Sequence, residues 1–207
     1  MLTLVYSPGS CALAPHIALE EAGATYDTKK ISLRTDDQTK PEFLAINPKG
    51  KVPALITDRG ILTENGPILV YLAQTFPKAK LAPIDDPFAL AEVQAFNGYL
   101  GTTVHVNFAH RTRGARWADE ESSKADMTRK APQTVRDSFQ LIEDKMMRGP
   151  YVMGDTYTIA DLYLLALSRW LPASGLTVSD FPKIDAMINR IMERPAVKKV
   201  VAIHTAG

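Results

Sequence analysis

Leu2-Thr3-Leu4-Val5-Tyr6-Ser7-Pro8-Gly9-Ser10-Cys11-Ala12-Leu13-Ala14 opens the chain, and its reading decides the fold class. Leu2 to Tyr6 is a short run of β-preferring residues, and Ser7-Pro8-Gly9 breaks it, so it predicts a strand. Ala12 to Glu21 then places Leu13, Ile17 and Ala18 on one face and meets Gly23 as a stop, which predicts a helix. Pro15 fits this helix only in or near its first turn. Tyr26 to Leu33 predicts a second strand. The order is β-α-β.

Working outward, Asp36 to Ile46 is polar and loop-like, with a short helix near Pro41 to Leu44. Val52-Pro53-Ala54-Leu55-Ile56 leads into a strand, Asp58-Arg59-Gly60 is a turn signal, and Ile61-Leu62 returns as the hairpin partner. Pro67 sits in the first turn of a helix that shows Ile68, Tyr71 and Leu72 at helical spacing and stops at Pro77. The stretch from Lys78 to Pro87 is proline-rich and aperiodic, and it predicts a linker. Beyond it the pattern is helical only. Val93, Phe96, Leu100, Val104 and Phe108 form one amphipathic stripe. Met127, Ala131, Val135, Phe139, Ile142 and Met146 form another, closed by Gly149, with Pro132 predicting a kink or a late start. Thr158-Ile159-Ala160-Asp161 has capping-box spacing, with Tyr157 and Leu162 at the staple positions, and it opens a helix apolar nearly all round. A last helix is predicted from Pro182 to Arg194. The expected division is residues 1–80, α/β, and residues 87–207, all-α.

The chain has 207 residues, 45% of them hydrophobic and 23% charged. That is enough apolar material for a sizeable core and excludes a disordered or fibrous chain. Lys and Arg number 24 against 23 Asp and Glu, so no overall field draws the protein to nucleic acid or a membrane surface. No stretch predicts a membrane span or a signal peptide, and a cytoplasmic location is expected. One cysteine and four histidines exclude an internal disulfide and a Cys-rich zinc site, and no metal-ligand spacing appears.

Four places carry candidate chemistry. At the end of the first strand, a thiol at Cys11 lies close to free N–H groups and the positive end of a helix dipole, so its pKa falls if it is exposed. Tyr6 and Ser10 are near enough to donate to a bound sulfur. A free cysteine is also a common packing residue, and that reading stays open. At Val52-Pro53 a cis bond would turn the Val52 backbone toward a peptide-like ligand, although trans is expected on frequency alone. Thr63-Glu64-Asn65-Gly66-Pro67 joins a strand to a helix start. There Asn65 can bind a carboxylate and Glu64 an ammonium, an arrangement suited to an amino-acid head group, or the segment is a plain N-cap. In the helix from Phe88 to His110, Gly98, Gly101, Thr102 and His105 share the side opposite the apolar stripe. Two helical glycines imply that a ligand or a close helix neighbour needs the space. Arg111, Arg113 and Arg116 cluster near the end of this helix, where they complement its dipole.

Taken together, Tyr6 to Ala14, Asn47-Pro48-Lys49-Gly50-Lys51-Val52-Pro53-Ala54-Leu55, Thr63-Glu64-Asn65 with Ile68, Tyr71 and Leu72, Thr158 to Asp161 and Arg194-Pro195 resemble the cytosolic glutathione S-transferases over essentially the whole chain. The pattern is most similar to the bacterial Beta class. The resemblance implies a thioredoxin-like N-terminal domain that binds glutathione, a helical C-terminal domain that carries an electrophile pocket, and a homodimer. It implies Cys11 and His105 beside the sulfur, Val52 pairing with the cysteinyl backbone, and Glu64 and Asn65 on the γ-glutamyl end; Tyr6 and Ser10 are weaker candidates at the sulfur, and Arg34, Lys51 and Pro53 are further expected glutathione contacts. The expected activity is conjugation of the glutathione thiolate to small, mostly apolar electrophiles, in detoxification. The pocket would draw on Phe108, Arg111, Trp117 and Tyr163 or Trp170. The alternatives are glutathione-dependent thiol–disulfide exchange through Cys11 and a non-catalytic binding protein on the same fold. Val106 stands where the class commonly has a lysine, and Asn65 where it often has a serine.

Overall fold

The computed structural model describes residues 1–206. The first part is built from β1 (Leu2–Tyr6), α1 (Leu13–Glu21), β2 (Tyr26–Lys30), α2 (Pro41–Leu44), β3 (Ala54–Thr57), β4 (Gly60–Thr63) and α3 (Asn65–Thr75). The four strands form one sheet in the order β2-β1-β3-β4, with β1 parallel to β2 and the other pairs antiparallel. Strand alternation divides the sheet into two faces. Leu4 and Tyr6 pack toward α1 and α3, while Val5 turns to the other face with Ile31, Phe43 and Ala54.

The second strand stops at Lys30 rather than running to Leu33, and Leu33–Thr35 is a 3₁₀ turn. The Asp37 carboxylate takes the Ser32 N–H at 2.8 Å and bends the chain away from the sheet.

The second part is helical: α4 (Pro87–Tyr99), α5 (His105–Thr112), α6 (Glu121–Leu141), α7 (Ile159–Ser168), α8 (Pro182–Met192) and α9 (Pro195–Thr205). A π-helical segment, Leu100–Val104, joins α4 to α5. α6 runs through Pro132 from a start at Glu121, so the late start is not observed. The sequence reading ended the helices at Arg194 and missed α9. Pro195 ends one helix and occupies the first turn of the next, where its missing N–H costs nothing.

The hinge between the parts is pinned by backbone, since the Ile159 N–H donates to the Leu81 carbonyl at 2.8 Å. At that point the capping box forms. The Asp161 carboxylate accepts from Thr158 N–H at 2.7 Å and Val152 N–H at 2.8 Å, and the Thr158 hydroxyl accepts from Ala160 N–H. α7 is buried along its length and forms the centre of the helical part, as its all-round apolarity predicts. Side-chain ties complete the joint. Arg194 grips Glu21 through two hydrogen bonds, and Lys199 reaches Glu20 at 2.6 Å.

Candidate active site

A cavity of about 1290 Å³ opens between the two parts. One wall is the end of β1 and its turn, the loop before β3, and the start of α3. The other wall is α4, the π-helical segment, α5, Tyr163 of α7 and the segment after that helix. Ligand pockets are commonly about 300–1,000 Å³, so this one has room for a tripeptide and a second small molecule side by side.

Cys11 lines the cavity but is only 6% exposed, with its Sγ 3.8 Å from the Val52 carbonyl oxygen. Burial pushes the thiol up to about 12, against the lesser opposing effect of backbone hydrogen bonding. The low pKa expected of an exposed thiol at a helix start is therefore not found. α1 begins two residues later, at Leu13, and the thiol lies in the dry turn before it.

Ser10 also faces the cavity. Its hydroxyl donates to the Ser7 carbonyl at 2.7 Å and accepts the Ala12 N–H at 3.3 Å, so it shapes the turn around the thiol. Tyr6 does not reach the cavity, which corrects the sequence expectation. Alternation along β1 turns its ring in between α1 and α9, against His16 and His204 at 5.2 and 5.0 Å between ring centres.

The Val52–Pro53 bond is cis, where frequency favoured trans. Val52 N–H meets no acceptor among the described residues, since this stretch precedes the β3 ladder, while the Val52 carbonyl takes the Cys11 thiol; the residue lines the cavity. Arg34 and Lys51 line the same wall.

Glu64 takes φ +71°, the left-handed region, and turns the chain from β4 into α3. Its carboxylate is held by the Lys49 ammonium. Asn65 departs from expectation. Its side-chain amide donates to the Cys11 carbonyl at 2.9 Å, which leaves its backbone N–H as the anion-facing group.

Across the cavity, His105 stands at the start of α5 with its ring 4.9 Å from that of Trp170. Burial, with the positive charges of Arg113, Lys51 and Arg116, lowers it to about 4. At neutral pH it is an uncharged imidazole with one N–H to donate. Trp170 in turn donates its indole N–H to the Gly9 carbonyl at 2.8 Å, which fixes the active-site turn from the helical side. Phe108 and Tyr163 complete an aromatic patch. Gly98 has open space where a side chain would begin, and at Gly101 a Cβ would meet the Tyr163 hydroxyl at 3.5 Å. The room those glycines leave belongs to the cavity, not to a tightly apposed helix.

Asn97 escaped the sequence reading. It is buried, it borders the cavity, and neither polar atom of its amide has a partner. The available signal was its place in the apolar stripe, one turn from both Val93 and Leu100.

A small mixed sheet with a cysteine in the β1–α1 turn, a cis-proline before β3, and a helical part closing over both defines the thioredoxin-like, glutathione-binding architecture. The family description "Glutathione S-transferase, N-terminal domain" matches residues 1–74, and "Glutathione S-transferase, C-terminal domain" matches residues 114–195. The chain belongs to the glutathione S-transferase family. It is 31% identical to glutathione S-transferase GstA of Escherichia coli O157:H7, over 97% of this chain and 98% of that one. Among solved structures, a Sulfitobacter glutathione transferase homologue with bound glutathione is 42% identical, with a TM-score of 0.93 over 97% of this chain and 96% of that one. A bacterial beta class enzyme from Sphingomonas chungbukensis is 33% identical, with a TM-score of 0.84 over 98% of each chain.

Proposed function

We infer that this chain is a glutathione transferase. It joins the glutathione sulfur to an electrophilic carbon of a small co-substrate. The observation that carries this is the two-walled cavity, with the unpaired Val52 N–H on one side and an aromatic patch on the other.

Glutathione lies along the first wall in this reading. Its cysteinyl backbone pairs with Val52, held in place by the turn at Pro53. Its γ-glutamyl end sits at Glu64 and the N–H of Asn65, and its glycyl carboxylate lies toward Arg34 and Lys51. The sulfur then rests near Ser10, Cys11 and His105. Neutral His105 donates to the thiolate, which lowers the thiol pKa without adding a competing charge. The proton leaves to solvent. The sulfur lone pair forms the new C–S bond, and the leaving group departs with its electron pair. Tyr6 is left out of this set because its ring packs against His16 and His204, away from the cavity lining.

The buried, high-pKa thiol of Cys11 counts against thiol–disulfide exchange as the main route, because the attacking species is a thiolate. The intact glutathione wall counts against a purely non-catalytic role. We further assign the chain to the Beta class, to residues 1–80 and 87–207 as its two domains, to a homodimer, and to detoxification in the cytoplasm. These rest on family likeness. No helix among the described residues is long and apolar enough to cross a membrane.

Calorimetric titration with glutathione, followed by turnover of chlorodinitrobenzene, tests the reading. Saturable binding and conjugation are expected, and absence of glutathione binding overturns it.

A further inference from the structure

The arginines of the helical part divide in two. Arg129, Arg136, Arg148 and Arg194 each face a carboxylate, Arg169 donates to Thr205, and Arg190 donates to the Pro150 carbonyl. Arg111, Arg113 and Arg116 have no ion-pair or side-chain hydrogen-bond partner among the described residues, and all three line the cavity. They come from the last turn of α5 and the 3₁₀ turn after it, Gly114–Arg116, beside Phe108, Trp117 and Trp170.

The cavity as a whole is equally one-sided. Lys30, Arg34 and Lys51 face it from the first wall, also without ion pairs, and the sole carboxylate on its lining is Glu64, already held by Lys49. Three cations and the α3 N-terminus are sufficient for the two carboxylates of glutathione. The arginines on the other wall are then in excess of what glutathione needs. Cations gathered along one cleft without carboxylate partners focus a positive potential there, which favours an anion.

We propose, resting on the transferase reading, that the co-substrate is an aromatic electrophile bearing a carboxylate, bound by Arg111, Arg113 and Arg116 with its ring on Phe108 and Trp170. Guanidinium groups suit this role because their planar fork matches a carboxylate and stacks on aromatic faces. The arginines also offset the repulsion between an anionic electrophile and the attacking thiolate. The reaction balances as before: the C–S bond forms, the bond to the leaving group breaks, and the carboxylate takes no part in bond changes.

The test compares a chlorodinitrobenzoate with its methyl ester, which share the reacting carbon and differ in charge. Each kcat/KM is divided by the rate constant of the uncatalysed reaction with glutathione. The acid is expected to exceed the ester by about tenfold or more at low ionic strength. That preference shrinks as salt screens the arginines. In Arg111→Gln/Arg116→Gln the acid-over-ester ratio falls about tenfold, and saturation by glutathione still occurs. An ester favoured equally or better in the parent overturns the proposal, as does a ratio unmoved by the double substitution. Turnover of chlorodinitrobenzene but of neither compound, or of the ester alone, removes only the proposal, whereas failure on all three while glutathione binds removes the transferase reading and this proposal with it.

Discussion

The Asn65 side-chain amide donates to the carbonyl oxygen of Cys11 at 2.9 Å, so the first turn of α3 is tied to the turn that carries the thiol. Both groups are buried, and no other donor serves that carbonyl from outside its own turn. Asn65→Ala leaves the carbonyl short of a partner and costs about 2 kcal/mol. A fall of about 4–8 °C in thermal midpoint is expected for a chain of this size. The glutathione KM rises with it as the two binding segments part. An unchanged midpoint would remove the structural role of this bond.

Cys11 behaves as a buried neutral group. A thiol pKa of about 12 leaves on the order of 10⁻⁴ thiolate near pH 8. Alkylation by iodoacetamide is therefore expected to be far slower than for a free cysteine peptide. Cys11→Ala keeps conjugation of chlorodinitrobenzene within about tenfold of the parent, because a protonated thiol neither abstracts the proton nor attacks. A loss of more than a hundredfold would show that the thiol takes part in the chemistry.

Gly98 separates helix stability from ligand room. An added Cβ meets nothing within 4 Å. Gly98→Ala is expected to stabilise α4 by about 1 kcal/mol. A rise of about 2–4 °C in midpoint follows. Since the same position faces the cavity, the KM for the co-substrate rises more than that for glutathione. A lower midpoint would mean that a close helix neighbour, not the cavity, required the glycine.

His16 and His204 form a buried pair, Nδ1 to Nε2 at 3.1 Å, between α1 and α9. Burial lowers His16 to about 4 and His204 to about 3, from an ordinary 6.5. Between about 6.5 and 4 the unfolded chain binds more protons than the folded one, so stability rises with pH across that window and is level above it. The contribution of the pair is lost on acidification from about pH 7 to about pH 4.5, and it is read as the difference in midpoint profile between the parent and a variant of the pair. His204→Gln leaves one histidine and flattens the profile. A profile that is equally steep in the variant would assign the acid sensitivity elsewhere.

Much of this was legible in the chain because the signals were local. The capping box at Thr158 and Asp161 needs only residues three apart. The stripe of Val93, Phe96, Leu100, Val104 and Phe108 is a helical repeat, and all five residues are buried. The helix at Pro41–Leu44 and the hairpin turn at Asp58-Arg59 follow from proline and turn residues. The errors arose where one local signal had two meanings. Pro195 both stops and starts a helix, and Asp37 takes the Ser32 N–H from beyond the strand that it ends.

The sequence by itself determined the order of elements from β1 to α3, the α/β-then-helical architecture and the family, because periodicity and motif order are properties of a linear chain. Only the tertiary structure decided the chemistry of single groups. Cys11 stands in a turn that favours a thiolate, yet burial against the Val52 carbonyl keeps it protonated. Tyr6 lies four residues before a serine that borders the cavity, yet the alternation of β1 points it at His16 and His204. Whether Arg111, Arg113 and Arg116 find carboxylates depends on which helices fold against them, and the fold gives them the cavity instead. Desolvation, face and pairing are set by what surrounds a residue in space, and spacing along the chain does not encode them.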